Sequence, residues 1–198
     1  MKILLTAFVP FGSRNVNASQ VVLESISDQI YGWETKKYCL PVESNTAPDL
    51  AIQYIDNEQP DFVVSLGEAG GIDWLQLEFV AINWMDFRIP DNANLTVSDT
   101  KIQPDGETAY FSSLPLRKIS SQLSEQEIPN RISMSAGTFL CNQVFYNIMN
   151  HVTRKKPAIP AGFIHIPASI VGGESTEITC DLQKCQEGIL TILKALID

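Results

Sequence analysis

Short apolar runs alternate along this chain with segments whose apolar residues recur at helical spacing. Asp61–Leu66 is a compact run of this kind, and the glycines that follow it at Gly67, Gly70 and Gly71 are typical of a turn after a buried parallel strand. This alternation predicts a β-sheet that is covered by helices on both of its faces.

The same patterns assign a segment to each element. We predict strands at Lys2–Phe8, Thr35–Val42, Asp61–Leu66, Leu75–Trp84, Arg131–Ser135 and Gly162–Ile166. We predict helices at Ala18–Ile30, Ala47–Asn57, Leu116–Gln126, Thr138–Val152 and Thr176–Ile197. The polar stretch Pro90–Gly106 is expected to form a long surface loop.

The length and composition fit one α/β domain over residues 1–198. Hydrophobic residues make up 44% of the chain and charged residues 19%, which excludes a disordered protein. The net charge of −9 argues against nucleic acid or an anionic membrane as a partner, because both are negative themselves. The apolar run Ile3–Leu5 near the N-terminus is too short for a signal peptide or a membrane span.

The four cysteines, Cys39, Cys141, Cys180 and Cys185, have irregular spacing. They form neither a CxxC pair nor a disulfide framework, so we expect a reduced cytoplasmic protein without a metal site. Three of them lie in segments that explain them as packing residues: Cys39 in a predicted strand, and Cys180 and Cys185 on the last predicted helix.

Cys141 lies near the predicted start of a helix, shortly after Gly137, and His165 lies near the end of a short apolar strand. A helix N-terminus and a neighbouring imidazolium both favour the thiolate, the form of cysteine that attacks carbonyl groups. Backbone amides of the glycine-containing turn would be available to an oxyanion. The alternative is that Cys141 is a small buried hydrophobic residue and His165 a hydrogen-bonded residue of a strand end.

Glu78 shares a predicted strand face with Val80, Ile82 and Trp84. A carboxylate on an apolar face needs a partner, and a histidine N–H would supply one. Glu78 would then orient the imidazole, as the acid of a catalytic triad does. An ion pair between Glu78 and Arg88 explains the same pattern equally well. His151, the other histidine, is expected at the exposed end of a helix.

Eight short motifs, in the order of the chain, are similar to those of the pyroglutamyl peptidase I (pyrrolidone carboxyl peptidase) family of cysteine peptidases. Each motif is weak alone, but together they extend over nearly the whole chain. They are Thr6–Gly12 (TAFVPFG), Asn17–Ser19 (NAS), Gly67–Gly71 (GEAGG), Glu78–Asn83 (EFVAIN), Arg88–Asn92 (RIPDN), Thr108–Pro115 (TAYFSSLP), Ser135–Asn142 (SAGTFLCN) and Phe163–Pro167 (FIHIP).

The resemblance implies a three-layer α/β/α sandwich with a central mixed, twisted sheet. It implies a catalytic triad of Glu78, Cys141 and His165, with Arg88 associated with the oxyanion site. The implied reaction is removal of an N-terminal pyroglutamyl residue from peptides without a cofactor, by a protein that forms dimers or tetramers. Further residues that match the family's motifs are predicted to bind the substrate: Phe8 and Phe11 on either side of the lactam ring, Asn17, Glu68 and Asn142.

This sequence departs from the family's usual residues at Ala7 (glycine), Ala18 (proline), Ile72 (arginine) and Phe79 (arginine), and also over 168–177. None of these departures removes a residue of the triad, but they affect the expected pocket shape and subunit contacts. The apolar loop Trp84–Phe87 is expected to be exposed and available for such contacts. Two other functions remain open at this point: a hydrolase of another small lactam or acyl-amide, and a non-catalytic binding protein on the same scaffold.

Overall fold

A computed structural model of the protein describes residues 1–168 and 181–197. Its strands are β1 (Lys2–Phe8), β2 (Gln29–Ile30), β3 (Trp33–Leu40), β4 (Phe62–Ala69), β5 (Leu75–Glu78), β6 (Val80–Ile82), β7 (Ala109–Phe111), β8 (Asn130–Ser133) and β9 (Ala161–Pro167). Its helices are α1 (Ala18–Ser25), α2 (Ala47–Glu58), α3 (Leu116–Glu125), α4 (Leu140–Val152) and α5 (Leu182–Ile197).

Seven strands form one mixed sheet in the order β2-β3-β1-β4-β9-β5-β8. β1, β3, β4 and β9 run parallel, whereas β5 is antiparallel to β9 and parallel to β8. β6 and β7 form a separate antiparallel pair. The mixed sheet and the helices on both of its faces confirm the predicted α/β/α architecture.

Residue parity along each strand assigns its side chains to one face of the sheet, because successive side chains point to opposite sides. Odd-numbered residues of β5, such as Leu75 and Leu77, pack into the apolar layer of α1, α3 and α5. Phe163 of β9 packs into the opposite layer, which contains α2 and α4. Glu78 follows Leu77 on β5, so its side chain points to the opposite face of the sheet. It therefore lies on the α4 face together with Phe163 and His165.

The first helix is shorter than predicted. α1 ends at Ser25 instead of Ile30, where the Ser25 hydroxyl donates to Val22 O and the Ile26 N–H donates to Leu23 O. Ile30 belongs to a two-residue strand that pairs with Trp33. The turn between them contains Tyr31 at φ 51° and Gly32 at φ 81°, so the apolar Ile30 continues the helical period only by coincidence.

The predicted strand Leu75–Trp84 is two strands, β5 and β6, because the chain changes partner at Phe79. The Phe79 N–H still donates to Ser133 O beside β5, whereas the Phe79 carbonyl accepts from Ser112 N at the end of β7. β4 is longer than predicted: it continues through Gly67 to Ala69 instead of turning at Gly67.

Two other predictions change. Met85 and Phe87 are buried, at 9% and 4% exposed, so Trp84–Phe87 is not an exposed apolar loop. The last helix is observed from Leu182 to Ile197, and Cys185, Ile189 and Ile192 are buried on its predicted apolar stripe. The predicted beginning of that helix, together with Ile178 and Cys180, lies outside the described residues.

Candidate active site

A cavity of about 910 Å³ opens where β1, β4 and β9 end and α4 begins. Ligands often bind at this edge of an α/β sheet, outside the carboxyl ends of the parallel strands. Seven of the residues predicted for the site line the cavity, namely Phe8, Phe11, Asn17, Glu68, Arg88, Cys141 and His165. The fold therefore brings together side chains that lie up to 157 positions apart in the sequence.

Cys141 is the second residue of α4 and is half-buried. Phe139 precedes the helix without a side-chain cap, and Gly137 has a φ of 77° in the turn before it. The backbone N–H groups of the first helical turn have no partner inside the helix, and the helix dipole favours a negative charge there. Cys141 thus lies at the positive end of the α4 dipole, beside backbone N–H groups that are free to donate.

Gly67 makes room for the cysteine. A Cβ atom at Gly67 would lie 3.0 Å from Cys141 Sγ and 2.8 Å from the ring of Phe163, closer than side chains normally approach. Because Gly67 is aligned with His165 in the parallel pairing of β4 and β9, it opens space directly beside the histidine.

His165 lies on β9 and is 6% exposed. Its Nδ1 atom lies 2.7 Å from Glu78 Oε1, and its side chain lines the same cavity as Cys141. Burial opposes the charged imidazolium, but the charges and hydrogen bonds of Cys141 and Glu78 outweigh it and raise the pKa of His165 from 6.5 to about 10. The arrangement favours the imidazolium form of His165.

Glu78 is fully buried and its partner is His165, not Arg88. In the antiparallel pairing of β5 and β9, Glu78 faces Phe163 and contacts His165 diagonally, at a separation that long side chains can reach. Arg88 is exposed and lines the cavity. Of the two partners that the sequence left open for Glu78, the structure therefore has His165 and not Arg88.

The two predicted aromatic residues differ in their surroundings. Phe8 is 3% exposed and its ring packs 6.5 Å from that of Phe163, centre to centre. Phe11 is less buried and packs 5.5 Å from Phe139. Phe139 also contacts Phe87 at 4.7 Å and lines the cavity, although the sequence analysis did not single it out. Its position two residues before Cys141 was the available signal.

Asn17 and Glu68 hold the loop that follows β1. The Asn17 side chain accepts from Ser19 N at 3.0 Å and so caps α1, and its amide also donates to Val9 O. Glu68 forms an ion pair with Arg14 through Oε1 and accepts from Ala18 N at 2.6 Å through Oε2. The Ala18 N–H exists because this chain lacks the usual proline at that position.

Asn142 has a different place from the one predicted. It is fully buried and does not line the cavity. Its oxygen accepts from Ile82 N, and its amide nitrogen donates to Ile82 O and Trp84 O, which joins α4 to β6. The observed hydrogen bonds of the Asn142 amide therefore connect α4 to β6, and its predicted contact with the substrate stays a prediction.

The remaining cysteines and histidine lie elsewhere. Cys39 is on β3, where burial and the Glu24 charge raise the pKa of its thiol, and Cys185 is buried on α5. His151, near the end of α4, is less exposed than predicted and lies 2.9 Å from Asp56 Oδ1. No cluster of three or more side chains suited to a metal ion occurs within residues 1–168 and 181–197, and no helix described there is long and apolar enough to cross a membrane.

Three comparisons relate the chain to known proteins. The sequence model of the pyroglutamyl peptidase family matches residues 1–183. Pyrrolidone-carboxylate peptidase 2 of Caldanaerobacter subterraneus subsp. tengcongensis is 44% identical over 167 residues, which are 84% of this chain and 81% of that protein. Pyrrolidone-carboxylate peptidase of Bacillus subtilis is 40% identical over 171 residues, covering 84% and 78% of the two chains.

Solved structures agree with this relationship. A mutant pyrrolidone carboxyl peptidase from the hyperthermophile Pyrococcus furiosus superposes with a TM-score of 0.94 at 30% identity, covering 100% of this chain and 98% of its own. Pyroglutamyl peptidase I from Bacillus amyloliquefaciens superposes with a TM-score of 0.93 at 29% identity, covering 98% and 96% of the two chains.

Proposed function

Because the chain belongs to the pyroglutamyl peptidase family and is a cysteine omega-peptidase, we propose that it removes N-terminal pyroglutamyl residues from peptides with Cys141, His165 and Glu78 as its catalytic triad. The observation that carries the proposal is the buried Glu78–His165 pair at the edge of an aromatic-lined cavity that Cys141 also lines.

The reaction begins with attack of the Cys141 thiolate on the pyroglutamyl carbonyl carbon. The resulting oxyanion is stabilised by backbone N–H groups at the start of α4, and Arg88 at the same cavity adds a positive charge. The His165 imidazolium then gives its proton to the leaving amine, the C–N bond breaks, and the shortened peptide departs. The pyroglutamyl group remains on Cys141 as a thioester.

Water completes the cycle. Neutral His165 takes a proton from a water molecule, which attacks the thioester carbonyl. The C–S bond breaks, pyroglutamate leaves, and Cys141 and His165 return to the charged pair. Glu78 keeps the imidazole oriented in both steps and stabilises its positive form, because its carboxylate accepts a hydrogen bond from Nδ1–H.

The substrate class follows from the chemistry of the cavity. Phe8, Phe11 and Phe139 offer apolar surface to a small uncharged lactam ring. An ordinary peptide N-terminus carries an ammonium group, whose desolvation against such surface is costly.

We include in the proposal that the chain is one domain over residues 1–198, works without a cofactor in the cytoplasm and assembles as a dimer or tetramer.

Hydrolysis of pyroglutamyl-aminomethylcoumarin, compared with the alanyl and prolyl analogues, tests the proposal. We expect release of the fluorophore from the pyroglutamyl substrate alone, and a loss of at least about 10³-fold in kcat for Cys141→Ser. Cys39→Ser is the matched control and should retain activity. Equal cleavage of the alanyl substrate would contradict the substrate class, and an active Cys141→Ser would contradict the nucleophile.

Iodoacetamide labelling identifies the nucleophile without a substrate. Cys141 should react first and be protected by a pyroglutamyl analogue, whereas the raised pKa of the Cys39 thiol should make Cys39 slow. Preferential labelling of Cys39 or Cys185 with unchanged activity would be incompatible with the proposed role of Cys141.

A further inference from the structure

A row of polar side chains leads away from the triad along one face of β5. Gln76 and Glu78 are two residues apart on β5, so they lie on the same face. Trp74, immediately before the strand, contacts Gln76 through its indole. Gln76 Nε2 donates to Glu78 Oε1 over 2.7 Å, and this is the same oxygen that lies 2.7 Å from His165 Nδ1. We propose that Gln76 is a positioning residue of the active site: its amide keeps Glu78 Oε1 within hydrogen-bonding distance of His165 Nδ1.

The need for such a residue follows from the burial of Glu78. The carboxylate is fully buried, and its second oxygen, Oε2, has no hydrogen-bond partner among the residues that the structure describes. All of its observed hydrogen bonding passes through Oε1, to His165 and Gln76. Loss of the Gln76 donor would leave a buried charge with a single partner, a costly state that favours protonation or reorientation of the carboxyl group.

The orientation of the Gln76 amide is set by chemistry on both sides. The indole Nε1–H of Trp74 is only a donor and lies 3.4 Å from Gln76 Oε1, so the amide oxygen faces the indole. The amide nitrogen must then face Glu78, whose carboxylate only accepts. A flipped amide would place two donors together at Trp74 and two acceptors together at Glu78.

Neighbouring strands hold this row in place. Gln76 is aligned with His165 on β9 and with Arg131 on β8. The Arg131 guanidinium lies 4.1 Å from the centre of the Trp74 ring, a cation–π contact. Among the residues that the structure describes, the charged and titratable groups around the pair at this level are Arg131 from β8, His165 from β9 and, beyond His165, Cys141 from α4.

Gln76 itself does not line the cavity, so its effect should appear in turnover and not in substrate binding. We expect Gln76→Met, which keeps the length of the side chain and removes the donor, to lower kcat by about 10-fold or more with little change in KM. Gln20→Met is the matched control, because Gln20 donates to Glu24 Oε1 over 2.8 Å on the surface of α1. The control should behave as the wild type.

Gln76→Glu separates positioning from a merely structural role. At low pH the new carboxylic acid can donate its proton to Glu78 Oε1, but at higher pH two carboxylates would face each other. The activity of Gln76→Glu should therefore recover as the pH falls, with an optimum more acidic than that of the wild type. An unshifted profile with wild-type kcat in both Gln76 variants would overturn the proposal.

The inference rests on the Glu78–His165 pair of the proposed function, but it is testable without a substrate. In a His151→Gln background, His165 is the only histidine, and NMR can follow its Nδ1 proton in the free enzyme. We expect Gln76→Met to shift this signal and Trp74→Phe to shift it less. If Gln76→Met leaves the signal unchanged, the inference fails; if it moves the signal in a protein that does not cleave pyroglutamyl substrates, only the proposed function fails.

Discussion

The backbone N–H of Ala18 donates to Oε2 of Glu68 over 2.6 Å and connects the start of α1 to the wall of the cavity. Proline, the residue usual in the family at position 18, has no N–H, so Glu68 would keep its ion pair with Arg14 but lose the backbone donor. The departure from the family pattern therefore changes how a cavity-lining carboxylate is held.

Ala18→Pro tests the importance of this contact. Proline suits the first position of a helix, and Asn17 already has the extended backbone that precedes proline (φ −121°, ψ 122°), so the fold should be retained. We expect KM for a pyroglutamyl substrate to rise by about 3–10-fold with little change in kcat, because Glu68 loses a donor. Steady-state kinetics and the unfolding midpoint check this expectation.

Glu68→Gln provides the comparison. If Ala18→Pro acts through Glu68, the double variant should be no worse than the poorer single variant, since both changes affect one group. Additive effects, or unchanged KM in both single variants, would show that the contact does not influence substrate binding.

Glu78→Gln keeps the shape of the side chain and removes its negative charge. The imidazolium would lose its buried counter-ion, so we expect kcat to fall by about 10²–10⁴-fold while the folded state persists. Circular dichroism and kcat measured on the same preparation test both parts. Full activity would show that Glu78 does not stabilise His165 during the reaction, and abolition of wild-type activity by EDTA would contradict a metal-independent mechanism.

The pH dependence of kcat/KM should have an alkaline limb set by His165. Burial opposes the charged ring, but Cys141 and Glu78 raise its pKa from 6.5 to about 10, so the proton that the leaving amine needs is retained up to that pH and lost above it. A wild-type limb near pH 6.5 would contradict this environment. The limb should move to lower pH in Glu78→Gln, where the carboxylate no longer favours the charged ring.

Substitution of Phe8 should mainly affect the stability of the fold, and substitution of Phe11 should mainly affect substrate binding. Phe8 is in the core, so Phe8→Ala should lower the free energy of unfolding by about 3–5 kcal/mol. Phe11 is more exposed, and Phe11→Ala should chiefly weaken pyroglutamyl binding, by about 1–3 kcal/mol of lost apolar contact. Thermal unfolding and kcat/KM of each variant distinguish the two effects. A Phe11 variant that loses stability but not kcat/KM would show that this ring holds the fold and does not select the substrate.

Several site residues were predictable because local sequence carried their chemistry. Cys141 at a helix start and His165 on an apolar strand follow from patterns within a few residues. The choice of His165 over Arg88 as the partner of Glu78 was not predictable, since it depends on the antiparallel register of β5 against β9. The role that we propose for Gln76 was not predictable for the same reason. The function of a neutral polar residue in a strand depends on the side chains that the fold places beside it.

The predicted boundaries of helices and strands were wrong where the hydrogen-bonding partner of the segment, and not its local sequence pattern, determined the structure. Apolar residues continue on both sides of Phe79, at Leu77 and Val80, yet the chain there leaves β8 and joins β7. Ile30 continues a helical period, yet it pairs with Trp33 in a hairpin. Asn142 follows Cys141 in sequence, but its side chain points to β6, because consecutive residues of a helix face different directions.

The vacant Cβ position of Gly67 has a consequence for heat inactivation. Cys141 Sγ lies against the main chain of β4, which is hydrogen-bonded to β1 on one side and β9 on the other. The interior of such a sheet opens only with the whole domain, whereas loops open at little cost. The alkylation rate of Cys141, relative to that of a free thiol at the same temperature, should therefore keep its native value during heating until the sheet itself melts. The distinctive reactivity of this thiol and the fold should then be lost in one cooperative event.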